Sequence, residues 1–208
     1  MKHITSFTVK DNHRNTWFEV NNLQQFNLVF GDNGVGKSQL LSQVNQPNLS
    51  LSGRMSEIKT SDEDILRRVS TIFPEIQNYT ARIMFEHGYG CSNSYVALEN
   101  ILARRDGIVV IDNLGYFLHP SRLHNFLQEV LCTAKECNNQ LFMATHSYEC
   151  IQFFTDILAR EEMKDFRPLA CGIKLAKLPK GDIKAYTANF EQLRATCKAG
   201  FDPRQIWN

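Results

Sequence analysis

The stretch that decides the fold is Gly31-Asp32-Asn33-Gly34-Val35-Gly36-Lys37-Ser38, set between Phe26-Asn27-Leu28-Val29-Phe30 and Gln39-Leu40-Leu41-Ser42-Gln43-Val44. It fits G-x-x-x-x-G-K-[ST], and its flanks predict a strand before it and a helix after it, which is the context the pattern requires. Glycines at such a turn let main-chain N–H groups across Asn33, Gly34, Val35 and Gly36 curl around phosphate oxygens. The helix amino end adds its positive dipole, Lys37 reaches the β and γ phosphates, and the Ser38 hydroxyl is a ligand for Mg²⁺.

Such a loop needs an acidic partner for the metal, normally an aspartate at the end of a neighbouring apolar strand. Ile108-Val109-Val110-Ile111-Asp112 supplies it, making Asp112 the second metal residue beside Ser38. Beyond it, Leu123, Phe126, Leu127, Val130 and Leu131 fall on one helical face, and residues 140–145 read as another strand. Residues 171–178 and 183–187 flank Pro179-Lys180-Gly181-Asp182, a hairpin composition, ahead of a last helix near 190–197. Upstream, residues 5–9 and 17–20 predict two short strands around a polar turn. Ile65, Val69, Ile72 and Phe73 mark an amphipathic helix from 62 to about 73, behind a cap at Ser61 or Asp62 and turned at Pro74. Strands alternating with helices predict an α/β domain over residues 1–208, with a mainly parallel sheet covered on both faces.

Composition sets the limits. The 208 residues are 43% hydrophobic and 22% charged, the balance of one globular domain, and a net charge of +1 excludes a strong overall field toward nucleic acid or anionic lipid. No apolar run approaches the roughly 20 residues of a membrane helix, and the N-terminus has no signal-peptide core, so the expectation is a soluble, cytoplasmic protein that makes no membrane contact. The six cysteines include no C-x-x-C pair and read as reduced thiols rather than a zinc site or redox dithiol. Lys174, Lys177, Lys180 and Lys184 cluster about the hairpin and read as a solvated face that blocks edge pairing, with contact to DNA phosphates as the alternative reading. Asp112 to Gly115 reads D-x-x-G, but no N-K-x-D motif follows, which argues against a GTPase. A nucleoside-phosphate kinase is disfavoured too, because no arginine-rich lid is evident.

Asp112-Asn113, then Leu118-His119-Pro120-Ser121, then a strand ending Thr145-His146-Ser147 closely resembles the AAA-class, ABC-type ATPases related to the overcoming-lysogenization-defect group. The likeness runs over nearly the whole chain, from FGDNGVGKS through IFPEIQ at 72–77 to the C-terminal strand pair and helix. It implies a P-loop NTPase of ABC-ATPase-like head type, with ATP and Mg²⁺ as ligands. It also implies that His146 is the switch histidine, which contacts the γ phosphate and orients attacking water. Such sites are completed in trans by a signature loop of a second copy. Gly88-Tyr89-Gly90 holds the matching place in reduced form, so Gly88 and Gly90 are expected at the nucleotide of an ATP-dependent homodimer. Gln43, Gln46 and Gln77 all remain open as the Q-loop glutamine, and His119 is expected to hold the LHP turn.

Three departures qualify the resemblance. The interval from Ser38 to Gly88 is short and lacks heptads, so coiled-coil arms are not expected. No acidic cluster resembling a toprim nuclease follows, which implies that any nuclease or effector is a separate polypeptide. Asn113 stands where the family has a glutamate general base, and an amide has essentially no basicity, so the resemblance implies slow or absent hydrolysis with binding retained. Glu99 and Glu149 are the available substitutes. Two readings follow: an ATP-dependent dimerising clamp, or a non-hydrolysing ATP sensor or structural subunit of a phage-defence or DNA-processing complex.

Overall fold

The structure is a computed structural model and describes residues 3–11, 16–44, 62–74 and 89–206. Strands β1 (Ser6–Asp11) and β2 (Thr16–Asn21) pair antiparallel as a sheet of their own. A second sheet contains β3 (Phe26–Phe30), β4 (Ile108–Ile111), β5 (Gln140–Thr145), β6 (Ala170–Lys177) and β7 (Ile183–Asn189) in the order β4-β5-β3-β6-β7. The β4/β5, β5/β3 and β3/β6 pairs are parallel, and β6/β7 is the antiparallel hairpin.

Every residue of β3 and β5 is buried, as expected of central strands covered on both faces. On one face lie α2 (Asp62–Ile72), α3 (Tyr89–Leu102), α4 (Pro120–Glu136), α5 (Tyr148–Ala159), a 3-10 segment (Glu161–Leu169) and α6 (Phe190–Lys198). Their apolar side chains close over Phe26, Leu28, Phe30, Val109, Ile111, Leu141 and Met143. On the other, α1 (Lys37–Val44) and the β1/β2 pair cover Val29, Phe142, Ala144, Cys171, Ile173 and Leu175. A short α7 (Pro203–Ile206) follows.

The predicted α4 face is buried at all five positions, and α2 ends two residues before Pro74, where the pre-proline restriction stops a helix. The signature segment differs from expectation, because α3 begins at Tyr89 and Gly90 lies in its first turn rather than in a preceding loop. Glycine's cost in a helix is backbone entropy, which is smaller in the first turn, where the backbone is less constrained by intrahelical hydrogen bonds than in the helix interior. Gly88, Gln46, Gln77 and Ser61 lie outside the described residues. Sequence reasoning did not anticipate α5, although Ser147 caps it by accepting from Cys150 N and Glu149 occupies its first turn.

The hairpin expectation held for pairing but not for one of its lysines. Lys174 is 2% exposed and sits opposite Phe30, so it is no part of a solvated face. Residues 170–175 of β6 are buried on both faces, and alternation therefore cannot send residue 174 to water. No helix among the described residues is long and apolar enough to cross a membrane.

Candidate nucleotide site

Parallel pairing brings the carboxyl ends of β3, β4 and β5 to one edge of the sheet, where open α/β sheets hold ligands. Phe30 is level with Thr145, and Ile111 with Met143, so the loop after Phe30, Asp112 and His146 all emerge there. β5 lies between the other two, and His146 therefore leaves the sheet between the glycine loop and Asp112.

The loop is shaped by positive φ at Gly31, Gly34 and Gly36. At Gly31 the reason is also steric, because a Cβ would run into the main-chain carbonyl of Leu175 on β6. Val35 has its side chain in the core, which pins the loop and leaves only its main chain for a ligand; its N–H faces Asp32 O at 3.4 Å. Asp32, Asn33 and Gly34 are exposed. Lys37, buried at the start of α1, folds back so that Nζ donates to Gly31 O and Asp32 O, each at 2.8 Å. Burial pushes its ammonium below the ordinary range, Asp112 and Asp32 oppose that shift, and Arg204 adds to it. Lys37 and Asp112, far apart in sequence, thus lie within each other's field.

The β4 and β5 ends are tied into one unit. Leu114 N donates to Ala144 O at 2.7 Å, Thr145 Oγ1 donates to Leu114 O at 2.8 Å, and Ser147 N donates back to Thr145 Oγ1 at 3.0 Å. Asp112 and Asn113 are exposed on this unit, and Asn113 takes φ +52 while its N–H donates to Asp112 Oδ1 at 2.8 Å. His146 is exposed beside them, and Ser147 Oγ donates to Glu149 Oε2 at 3.0 Å. His119 does hold its turn, capping α4 by accepting from Ser121 N.

Next to the loop opens a cavity of about 340 Å³, lined by Gly34, Gly36, Ser38 and Gln39 and walled by Asp11, Lys177 and Ile183. Asp11, Gln39 and Ile183 were not singled out from sequence, and Lys177 was read only as part of the solvated hairpin face, not as a wall of this cavity. Only Gln39 had a local signal, its place directly after Ser38. Gln43, one of the three glutamines left open, accepts from Lys10 N and donates to Lys10 O, so its amide is committed to joining α1 to β1. Ser38 and Asp112 offer exposed oxygen donors of the kind a hard cation such as Mg²⁺ takes, and the residues fit that ion.

No family model matches the chain, and no curated protein matches it. Among solved structures it is similar to cbiO1 of Clostridium perfringens, part of the ABC transporter complex cbiONQ. The identity is 13%, the TM-score 0.53, and the likeness covers 92% of this chain and 91% of that one. It is also aligned at 13% identity with an archaeal ribosome recycling factor, aABCE1, with a TM-score of 0.46 over 94% of this chain and 41% of that one. A metal-chelate type ABC transporter in an inward-facing conformation gives 12% identity and a TM-score of 0.43, over 88% of this chain and 94% of that one. The first of these likenesses establishes the fold: a P-loop α/β fold of the ABC-ATPase type, with a mostly parallel five-stranded sheet and an antiparallel strand pair.

Proposed function

We propose that the chain is an ATP-binding head that takes ATP with Mg²⁺ at residues 31–38 and closes on a second copy in an ATP-dependent homodimer. The observation that carries this reading is the meeting of the glycine loop, Asp112 and His146 at one sheet edge, with Lys37 in the field of Asp112. The N–H groups of Asn33 to Gly36 and the Lys37 ammonium bind the phosphates, and Ser38 and Asp112 hold the metal. Bound Mg²⁺ neutralises phosphate charge. His146 faces the terminal phosphate, and the cavity beside Ser38 and Gln39 receives the rest of the nucleotide. Gly88 and Gly90 belong to the surface that closes on the partner copy's nucleotide, and an effector or nuclease on another polypeptide would read the closed state.

Calorimetry at fixed Mg²⁺ tests the site: wild type binds ATP, and Lys37→Ala does not. Equal affinity of the two would refute the assignment. Light scattering tests the clamp, with a doubled mass at saturating ATP as the expected result.

One observation favours a second reading, in which ATP is held as a signal or structural ligand of a phage-defence or DNA-processing complex and is barely hydrolysed. Residue 113 has an amide in place of a base, on a left-handed backbone suited to asparagine. Glu149, which accepts from Ser147 Oγ next to His146, is a substitute carboxylate that the fold brings to this edge. Phosphate release by wild type and Glu149→Gln separates the readings: negligible release from both fits the sensor, and release abolished by Glu149→Gln fits the enzyme.

A further inference from the structure

Residues 201–206 fold back onto the turn that carries His146. Arg204 Nη1 donates to the main-chain oxygen of His146 at 2.6 Å. Its Nε donates to both oxygens of Asp202 at 2.9 Å, and its Nη2 donates to Asp202 Oδ2. The guanidinium also lies 6.0 Å from the centre of the Tyr148 ring, whose hydroxyl donates to Phe201 O at 3.4 Å. A planar fork with five donors can pair with a carboxylate through two nitrogens and still donate to a carbonyl, whereas a lysine's single ammonium reproduces only part of that arrangement.

The His146 turn is thus gripped from two directions. Thr145 Oγ1 and Ser147 N hold it from the β4 side, and Arg204 holds the carbonyl from the side of α7. The same guanidinium feels Asp32 in the glycine loop and Glu149 at the start of α5, and its charge reaches Lys37. Lys174, buried on β6, lies in the fields of Asp32 and Asp202. These charges couple residues 202–204 to the loop that would hold phosphate.

We propose that Arg204 is a positioning residue: anchored by Asp202, it fixes the main chain at His146 and so the place from which that side chain meets the terminal phosphate. This rests on the nucleotide reading above. It predicts a role specific to the third phosphate, because ADP offers His146 nothing to contact.

The test is calorimetry with ATP and with ADP at fixed Mg²⁺ on wild type, Arg204→Ala, Arg204→Lys and Asp202→Asn, alongside the ¹³C shift of the His146 carbonyl without nucleotide. Arg204→Ala is expected to lose about tenfold in ATP affinity and less than about twofold for ADP, the scale of one charge-assisted hydrogen bond. Asp202→Asn moves the same way, Arg204→Lys recovers part of the loss, and the carbonyl shift moves in Arg204→Ala and Asp202→Asn. If Arg204→Ala fails to fold, the other two variants carry the same comparison. Folded variants that keep the wild-type ratio of ATP to ADP affinity overturn the proposal, as does an equal loss for both nucleotides. Wild type that binds neither nucleotide overturns the nucleotide reading and this role with it, and is told apart because it appears before any substitution.

Discussion

Asn113 donates its main-chain N–H to the carboxylate of Asp112 at 2.8 Å, and it does so from a left-handed backbone with φ +52. Asparagine is among the residues that tolerate this region, whereas a glutamate there costs about 1 kcal/mol. The amide at 113 therefore serves the turn as well as replacing a base. Asn113→Glu should still raise phosphate release, since general bases contribute on the order of 10²- to 10⁴-fold, while unfolding free energy falls by about that 1 kcal/mol. Asn113→Gly keeps the turn and gains no turnover. A stable Asn113→Glu protein with unchanged release would place the limiting defect elsewhere, in the signature segment or a missing partner.

Lys37 gives a pH dependence with an unusual sign. Burial lowers its folded pKa from 10.5, so between the folded value and 10.5 the unfolded chain binds more protons. Its charged form costs folding stability below the folded pKa, and that cost is relieved as pH rises through it. Nucleotide binding runs the other way, because phosphate needs the ammonium. ATP affinity should fall as pH rises through the lowered folded value, at a pH below the 10.5 of an unperturbed lysine. Calorimetry from neutral pH up to 10.5 checks it, and a flat profile would mean that Lys37 does not meet the phosphates.

How much of this was legible in the sequence depends on whether a residue acts through its neighbours in the chain or through other strands. The glycine loop, β3, β4, β5 and the β6/β7 hairpin could be read because each is a local pattern: an apolar run, a turn composition, a spaced lysine and serine. Helix α5 was also locally signalled, by Ser147 and Glu149, but its apolar residues are dense enough to blur the period. Lys174 looked like one of four surface lysines and is buried because β6 is covered on both faces. Asp202 and Arg204 carried no motif at all. Their meaning comes from contact with a carbonyl 58 positions away, which no local window contains.

Asn139 shows a similar long-range tie at the opposite end of the sheet. Buried completely, it accepts from Gly107 N at 3.0 Å and donates to Ile101 O at 2.8 Å and Arg104 O at 3.0 Å, so one amide fixes the entry to β4 and the end of α3. Asn139→Ala strands a buried N–H and two carbonyls. Urea unfolding should show a loss of about 2–4 kcal/mol with the m-value retained. The same substitution should leave ATP affinity nearly unchanged, since the site lies at the other sheet edge.

Asp202 supplies the last prediction. Burial would raise its carboxyl, but the hydrogen bonds and charge of Arg204, with Lys174 nearby, override that and hold it below its unfolded value of 3.8. A carboxylate with a depressed folded pKa contributes stability that is present above the unfolded pKa and is lost as pH falls through the folded one. Wild type should therefore exceed Asp202→Asn in unfolding free energy by a roughly constant margin near neutrality. That margin should be about 1 kcal/mol, since both partners are partly solvated. Below pH 3.8 the margin should close, because the wild-type carboxyl becomes protonated and then offers Arg204 little more than the amide does. Paired urea titrations of the two proteins from neutral to acid pH read this difference directly and cancel the titration of the other carboxylates. A margin that stays constant into acid would mean that Asp202 acts by shape and neutral hydrogen bonding. The anchoring of Arg204 would then not depend on the carboxylate's charge.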